Sequence, residues 1–577
     1  MNMLNEPGLM TSESTSPSSL LTDNLPLLAG APNGIQKLRE LILELAVRGK
    51  LVPQDPSDEP ASELLKRIAE EKVQLIADGK LRKQKPLTDI AEEDKPFELP
   101  QGWVWARLAD LAFSQAGFAF KSAGFNDAGI GLPLVRIRDV GQPFSGTFYE
   151  GEYRPEFIVE SGDYLISMDG QFRVATWKGS TALLNQRVSR LVFFGSELAY
   201  RFVADSLQAR LLELQGVKAY TTVDHLSGGQ ISDSIIGLPP LAEQHRIVAK
   251  VDELMALCDR LEAQQADAES AHARLVQALL DSLTQASDAD DFAASWQRLA
   301  EHFHTLFTTE SSIDALKQTL LQLAVMGKLV PQDPSDEPAA ELIERIAEEK
   351  ARLVEQGKSK KQKPLAEISD DEPPYAVPDN WVWSRIGELA ISTEYGLSEK
   401  TSELKDGVPV LKMGDIQSGR VVLGGQMKVP RQTEGLPGLF LEPGDLLYNR
   451  TNSAELVGKT GVFLGGAQEY TFASYLIRIR CPKKLFSPAY LNLSMNAPSF
   501  REFQINPHLK QQCGQANVNG TIMKNMLVSV PPLAEQYRIV TKVEQLMALC
   551  DQVKTHIGQI QQIQGHLSNA LVEQAVA

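Results

Sequence analysis

Several stretches of the chain hold residue types at spacings that could do chemistry. Gly458-Lys459-Thr460 ends like a phosphate-binding loop, in which backbone N–H groups and a lysine cradle phosphates. The position five before Gly458 is Ser453, where such a loop needs glycine. Glu372-Pro-Pro-Tyr375 approaches the Asp/Asn-Pro-Pro-Tyr signature of amino-methylating sites, but its first residue differs. It sits in an acidic linker, and the matching linker in the other half of the chain reads Asp94-Lys-Pro-Phe97. Glu70-Glu-Lys72 and Glu348-Glu-Lys350 have the E-x-K spacing of nuclease sites, yet they fall on the polar face of an amphipathic helix, which reads as solvated charge. The eight histidines show no metal-ligand spacing, and Cys258, Cys481, Cys513 and Cys550 form no C-x-x-C pair. No glycine-rich strand-to-helix turn offers a place for S-adenosylmethionine. The chain carries no complete catalytic set and no metal site.

The elements that would have to position any site show a different organisation. Pro239–Asp259 (PPLAEQHRIVAKVDELMALCD) recurs at Pro531–Asp551 (PPLAEQYRIVTKVEQLMALCD), with 17 of 21 positions identical across 292 residues. Each copy opens a long helix with a heptad seam. In the first the seam is Ile247, Val251, Leu254, Cys258, Leu261, Gln265, Ala268, His272, Leu275 and Leu279. In the second it is Ile539, Val543, Leu546, Cys550, Val553, Ile557, Ile560, Gln564, Leu567 and Leu571. Two such seams are buried most simply against each other. A second duplication has a period of 278 residues: GKLVPQDPSDEPA at 49–61 returns unchanged at 327–339. Each copy follows a short amphipathic helix, the first at Ile35–Val47 and ended by Gly49. Each leads into a helix that Ser57 or Asp58 can cap in the first copy, then a basic run (Lys80-Leu-Arg-Lys-Gln-Lys85 and Lys358-Ser-Lys-Lys-Gln-Lys363), an acidic linker and a Trp-Val-Trp. Between Trp103 and Pro239, and between Trp381 and Pro531, strand-like runs such as 132–140, 190–194 and 475–480 alternate with glycine turns. These inserts share little beyond GDYL at 162–165 and GDLL at 444–447.

Composition bounds the rest. A chain of 577 residues holds several domains, and 43% hydrophobic with 23% charged residues is ordinary for a soluble protein. Scarce cysteine points to a reduced, cytoplasmic compartment. Residues 1–33 read as a disordered leader and not as a signal peptide. No window approaches a membrane span. The net charge of −17 is unevenly spread: the first insert carries 12 basic and 14 acidic side chains, the second 16 and 12, so the frame outside them holds −19.

The duplicated KLVPQDPSDEPA, the duplicated PPLAEQ(H/Y)RIV and LMALCD, and the two segments opening at W-V-W resemble the specificity subunit of type I restriction–modification enzymes. The resemblance runs from about residue 34 to the C-terminus. It implies an α+β fold: two mixed α/β target recognition domains joined by two long duplicated helices that pair as an antiparallel coiled coil, with an internal pseudo-two-fold duplication. The implied domains are a leader at 1–33, helical frame at 34–100, recognition domain at 101–238 and spacer helix at 239–285. A linker follows at 286–311, then frame at 312–378, recognition domain at 379–530 and spacer helix at 531–577. Each recognition domain would read half of a split DNA target. The implied partners are double-stranded DNA, two modification subunits that use S-adenosylmethionine for adenine-N6 methylation, and restriction subunits that use ATP and Mg. This chain would bind no cofactor itself, and no membrane. A helix of that length, about 60 Å, could act as a ruler, since recognition modules on one face of a duplex repeat at about 34 Å or its multiples.

Within the inserts, Arg, Gln and Asn on loops or strand ends are the side chains able to bond two base-edge atoms at once. The candidates in the first are Lys121 and Ser122 of Gly117–Ser122, Arg136, Arg138, Gln171 and Arg173 of 169–173, and Asn185, Gln186 and Arg187. In the second they are Asn449, Arg450, Asn452, Ser453, Lys459, Asn517 and Asn519. Any single Arg or Lys here serves as readily as a phosphate contact or solvated charge. Two other classes compete with this reading: an acidic DNA mimic, and an enzyme with an unrecognised site in each insert.

Overall fold

The computed structural model of the chain describes residues 25–79, 81, 89–217, 226–509, 511–512 and 515–576. The chain divides into one unit of Met1–Ala268 with Ile560–Ala577 and a second of Glu269–Gln559.

In the first unit the frame begins earlier than the sequence implies. Leu25–Gly30 is a helix whose Leu28 and Ala29 enter the core beside the helix Gly34–Val47. The last part of the expected leader is therefore ordered, with Leu28 and Ala29 buried; residues 1–24 lie outside the described residues. Gly34–Val47 buries Leu38, Leu41, Ile42 and Leu45, and Gly49 ends it at φ +69°, where a Cβ would meet the Pro100 ring. Ala61–Ala77 follows, with Pro60 at its N-cap and no side-chain cap. Ser57 and Asp58 do other work: Ser57 bonds Asp55 in a local turn, and Asp58 takes Arg246 of the long helix Leu241–Thr284 at 2.7 Å.

The insert springs from this frame through two antiparallel strands, Val104–Arg107 and Ile235–Leu238. Beyond them lies a four-stranded sheet in the order 112–116, 188–193, 164–167, 174–176, covered by the helix Tyr200–Val217. A five-stranded sheet is built around Leu132–Val135, which runs parallel to Ala182–Leu184. The strand-like run at 132–140 breaks after Val135, because the Asp139 carboxylate accepts the N–H groups of Arg136 and Ser145 and folds 137–139 into a turn.

The second unit repeats this plan 278 residues later. Glu310–Val325 stands for Gly34–Val47, Ala339–Glu355 for Ala61–Ala77, and Arg538 takes Asp336 at 2.6 Å. The stem is Val382–Arg385 paired with Leu527–Val530. The main sheet runs 392–395, 476–480, 446–449, 460–462, the order of the first insert, and is extended by 420–421 and 416–417. Val408–Leu411 runs parallel to Thr471–Phe472, again as in the first insert. A small sheet of 451–452, 515–517 and 511–512 is peculiar to the second insert among the described residues. The 286–311 stretch is largely helical, with Ala289–Glu301 and Phe303–Leu306.

The long helices, Leu241–Thr284 and Leu533–Val576, each share a core with the far end of the other. In the first unit Ile247, Val251, Leu254 and Cys258 are buried, with Leu261 at their edge, and Leu571, Val572 and Ala575 pack in the same core. In the second unit Leu546, Cys550, Val553 and Ile557 share a core with Val276, Leu279, Leu280 and Leu283. Beginning against end in both places is the sense of an antiparallel pair. The frame helices are third members. Lys37 of Gly34–Val47 bonds Asn569, and Lys554 reaches Asp314 of Glu310–Val325 at 3.0 Å. Ile539 and Val543 are buried in the separate core beneath the second insert.

The heptad seam fails beyond Leu261 and Ile557, where Gln265, Ala268 and Gln564 are exposed. Leu275, Ile560 and Leu567 are about half exposed (53%, 55% and 47%), while Val276, Leu280 and Leu283 are buried, as are Ser568 and Ala575. Val276, Leu280 and Leu283 step by four and three, one residue later than the sequence seam, as a helix of 3.6 residues per turn allows. A strict 3.5-residue seam drifts off that face, and both helices shift by one residue at matching positions.

Lys72 and Lys350 are half-buried and not free solvated charges. Lys72 donates to the Ala109 carbonyl at 2.6 Å and lies over the Phe194 ring, and Lys350 donates to Gly387 O at 2.7 Å. Burial lowers both ammonium pKa values. Cys258, Cys481 and Cys550 are buried free thiols, and burial pushes Cys481 up to about 12; Cys513 lies outside the described residues. No helix among the described residues is long and apolar enough to cross a membrane.

Candidate nucleic-acid interface

In the first insert, three of the segments singled out by sequence converge at one end of the four-stranded sheet. Strand Ala112–Ala116 ends at Gly117, whose missing Cβ would lie 2.1 Å from the Asn185 carbonyl oxygen. Only glycine permits that approach. It lets Phe118 N–H bond Leu184 O at 2.9 Å and Gln186 N–H bond Phe118 O at 2.8 Å. The turn 185–187 is thereby pinned to 117–118. Arg187 holds a left-handed φ of 72°, and its carbonyl accepts Met168 N–H at 2.9 Å. That contact brings in the loop 168–173, where Arg187 Nε faces Asp169 at 3.5 Å and the Arg173 guanidinium bonds Gln171. Ser167 Oγ fixes the base of the loop by accepting Arg173 N–H at 2.9 Å. Gln171, Gln186 and Arg187 are exposed, as are Lys121 and Ser122 on the segment leading away from Phe118.

Other candidates are occupied within the protein. Arg138 donates to Ser145 at 2.9 Å and Thr147 at 3.1 Å, and Arg136 is half-buried. Asn185 is buried (8% exposed), with its Oδ1 unpartnered. An aromatic platform escaped notice in the sequence. Phe118 is 38% exposed, packs on Phe120 and Phe157 at 5.2 Å, and carries the Arg154 guanidinium 5.7 Å from its ring centre. Two phenylalanines flanking one alanine at 118–120 were the available signal.

The second insert builds the same corner from other residues. Gly396 lies against Phe472 O, 2.2 Å from where its Cβ would be, and Leu397 N–H bonds Phe472 O at 2.8 Å. Arg450 occupies the place of Met168, and its carbonyl accepts Val518 N–H as that of Met168 accepts Leu226 N–H. Its guanidinium lies 5.1 Å from the Tyr395 ring centre, donates to Ser474 O at 2.9 Å and reaches Asn517 Oδ1 at 3.5 Å. Tyr395 is 46% exposed. Lys459 is exposed, and Ser453 is half-buried on the loop between them. Asn449 is buried and bonds Leu456 O, Asn452 accepts Ser453 N–H, and Asn519 caps the helix Gly520–Asn525. These three asparagines hold loops in shape.

Beneath both corners an arginine of the main sheet is anchored on a main-chain carbonyl outside that sheet. Arg190 donates to Ile158 O, and Arg478 donates to Phe440 O, each at 2.6 Å. Both face the Leu of the shared GDYL or GDLL across the sheet, at Leu165 and Leu447.

The family model described as "Type I restriction modification DNA specificity domain" matches residues 100–269 and 378–564. The chain is 37% identical over 569 residues to the type I restriction enzyme EcoEI specificity subunit of Escherichia coli, covering 94% of each. It is 36% identical to the EcoAI specificity subunit of Escherichia coli over 570 residues, again 94% of each. A solved structure described as the HsdS subunit from Thermoanaerobacter tengcongensis aligns with 83% of this chain and 98% of its own at 17% identity, with a TM-score of 0.37. By sequence kinship along nearly its whole length, in both recognition segments, this chain belongs to the family of type I restriction–modification specificity subunits.

Proposed function

We propose that the chain is the DNA-reading, non-catalytic subunit of a type I restriction–modification complex, with each insert reading half of a split target. The observation carrying this reading is the repeated corner. Two inserts with one topology present different side chains at the same place: Gln171, Gln186 and Arg187 in the first, and Arg450, Asn517 and Lys459 in the second. A common backbone with unlike bidentate donors is what reading two unlike half-sites demands. Phe118 and Tyr395 add exposed ring faces beside an arginine.

The duplicated frame is the docking surface for two modification subunits, which supply S-adenosylmethionine and methyl transfer. Restriction subunits supply ATP- and Mg-dependent cleavage, and the complex works in the cytoplasm. Methylation-sensitive sequencing of a host with and without this gene, alongside its modification partner, tests the reading. A split adenine-methylated motif should appear only when the gene is present. A methylome that does not depend on the gene contradicts it. Against a DNA mimic, binding to random duplex should weaken with salt through counterion release; no binding at any salt favours the mimic.

A further inference from the structure

The segment 358–363 of the second unit is a cationic strap built onto the insert. Ser359 and Gln362 face inward: Ser359 Oγ donates to Ile391 O at 3.0 Å, and Gln362 Nε2 reaches Ile391 O at 3.4 Å. Leu365 continues the strap against Gly387, and Arg385 grips the Ala366 carbonyl at 2.7 Å. With those positions anchored, Lys358, Lys360, Lys361 and Lys363 all point outward and are exposed, and none forms an ion pair among the described residues. Arg352 neutralises Glu349 nearby at 2.6 Å, and the charges of Lys358 and Lys484 also bear on that carboxylate. In a chain of net charge −17, four exposed cations without ion pairs in six residues form a patch of the charge that attracts a polyanion.

We infer that this strap grips DNA phosphates beside the bases that the second insert reads, without regard to sequence. The inference rests on the reading of the chain as a DNA-binding subunit. Strand Ser392–Tyr395 runs from Ile391, where the strap is anchored, to the recognition corner at Gly396. Five residues of strand span about 17 Å, the length of about five base pairs at 3.4 Å each. The strap thus lies within reach of phosphates flanking a half-site held at that corner. Contacts of this kind position a protein on the duplex and supply salt-dependent affinity with no base preference.

The test uses the full chain copurified with its modification subunits, in three forms: unaltered, K358Q/K360Q/K361Q/K363Q, and the same four positions changed to arginine. Each is titrated over a salt series with a random-sequence duplex and with a duplex carrying the methylated motif found by sequencing. The glutamine variant should lose affinity for both duplexes by one common factor, on the order of tenfold. Its log-affinity against log-salt slope should be shallower by about two to four. Its ratio of target to random binding should hold, and the arginine variant should restore the slope. An unchanged slope with target preference intact overturns the strap and leaves the specificity reading standing. Loss of target preference in the glutamine variant also overturns it, by making the lysines base readers. Failure of that variant to copurify with modification subunits overturns it in favour of protein docking. An unaltered chain with no target preference removes the reading beneath the strap, and both fall.

Discussion

Trp103 donates its indole N–H to the buried Glu243 carboxylate at 3.0 Å, and 278 residues on Trp381 does the same to Glu535, also at 3.0 Å. The tryptophan opens the stem of each insert and the glutamate lies in the first turn of each long helix, so this bond joins recognition domain to frame. Changing Trp103 to Phe removes the donor and leaves a buried carboxylate short of a partner. The expected cost is about 1–3 kcal/mol, read by urea or thermal unfolding, with Trp381→Phe costing a similar amount. A loss within about 0.5 kcal/mol, the range of ordinary surface changes, would show that the bond does not hold the stem.

The same carboxylates make stability depend on pH. Burial, the largest influence, raises the pKa of Glu243 and of Glu535 above the ordinary 4.5, against the opposing pull of their tryptophan bonds. The folded state therefore binds those protons more tightly than the unfolded state. Their contribution is fully present below about 4.5 and is lost as pH rises through the raised value. The double variant E243Q/E535Q keeps an acceptor for each indole and cannot ionise. Its melting temperature relative to the unaltered chain should climb as pH rises from the acid side towards neutrality, then level off. A difference that stays flat with pH would refute the burial argument.

The shift in the long-helix seam gives a paired test. Leu280→Ala empties a buried site and should cost about 2–5 kcal/mol, while Leu275→Ala should cost no more than about 0.5 kcal/mol. Equal losses, or a larger one at Leu275, would restore the strict heptad.

Glycine at each recognition corner can be probed directly. A Cβ at Gly117 or Gly396 would collide with a backbone carbonyl, which cannot swing aside as a side chain could. Gly117→Ala should destabilise by about 1–3 kcal/mol and weaken reading of one half-site only; Gly396→Ala should do so for the other. Footprinting on the methylated motif checks this. Equal damage to both halves from either change would contradict the independence of the corners.

The duplicated frame was legible because its physics is local. Two stretches repeated nearly unchanged must fold alike, and Gly49 after an amphipathic run marks a helix end without tertiary knowledge. The kinship of the inserts was hidden because it resides in backbone, not side chains: Met168 and Arg450 share a place and no chemistry. Several residues that lie together at the corners could be named beforehand, since Arg, Gln and Asn next to glycine are visible in a sequence. What sequence does not show is which of them face inward. Asn449 and Asn519 look like Gln171 until a carbonyl or a helix end claims them. The seam misled for a different reason. A 3.5-residue repeat and a 3.6-residue helix agree over the two heptads from Ile247 to Leu261 and part afterwards, so that Val276 replaces Leu275 on the buried face.

If two independent readers sit in one frame, exchanging one of them should leave the other at work. Residues 101–238 are replaced by the corresponding insert of a related chain, and the host methylome is sequenced with the modification partner present. A new motif should appear in which one half of the split target changes and the other half stays as it was. A motif altered in both halves, or one left wholly unchanged, would contradict the independence of the readers.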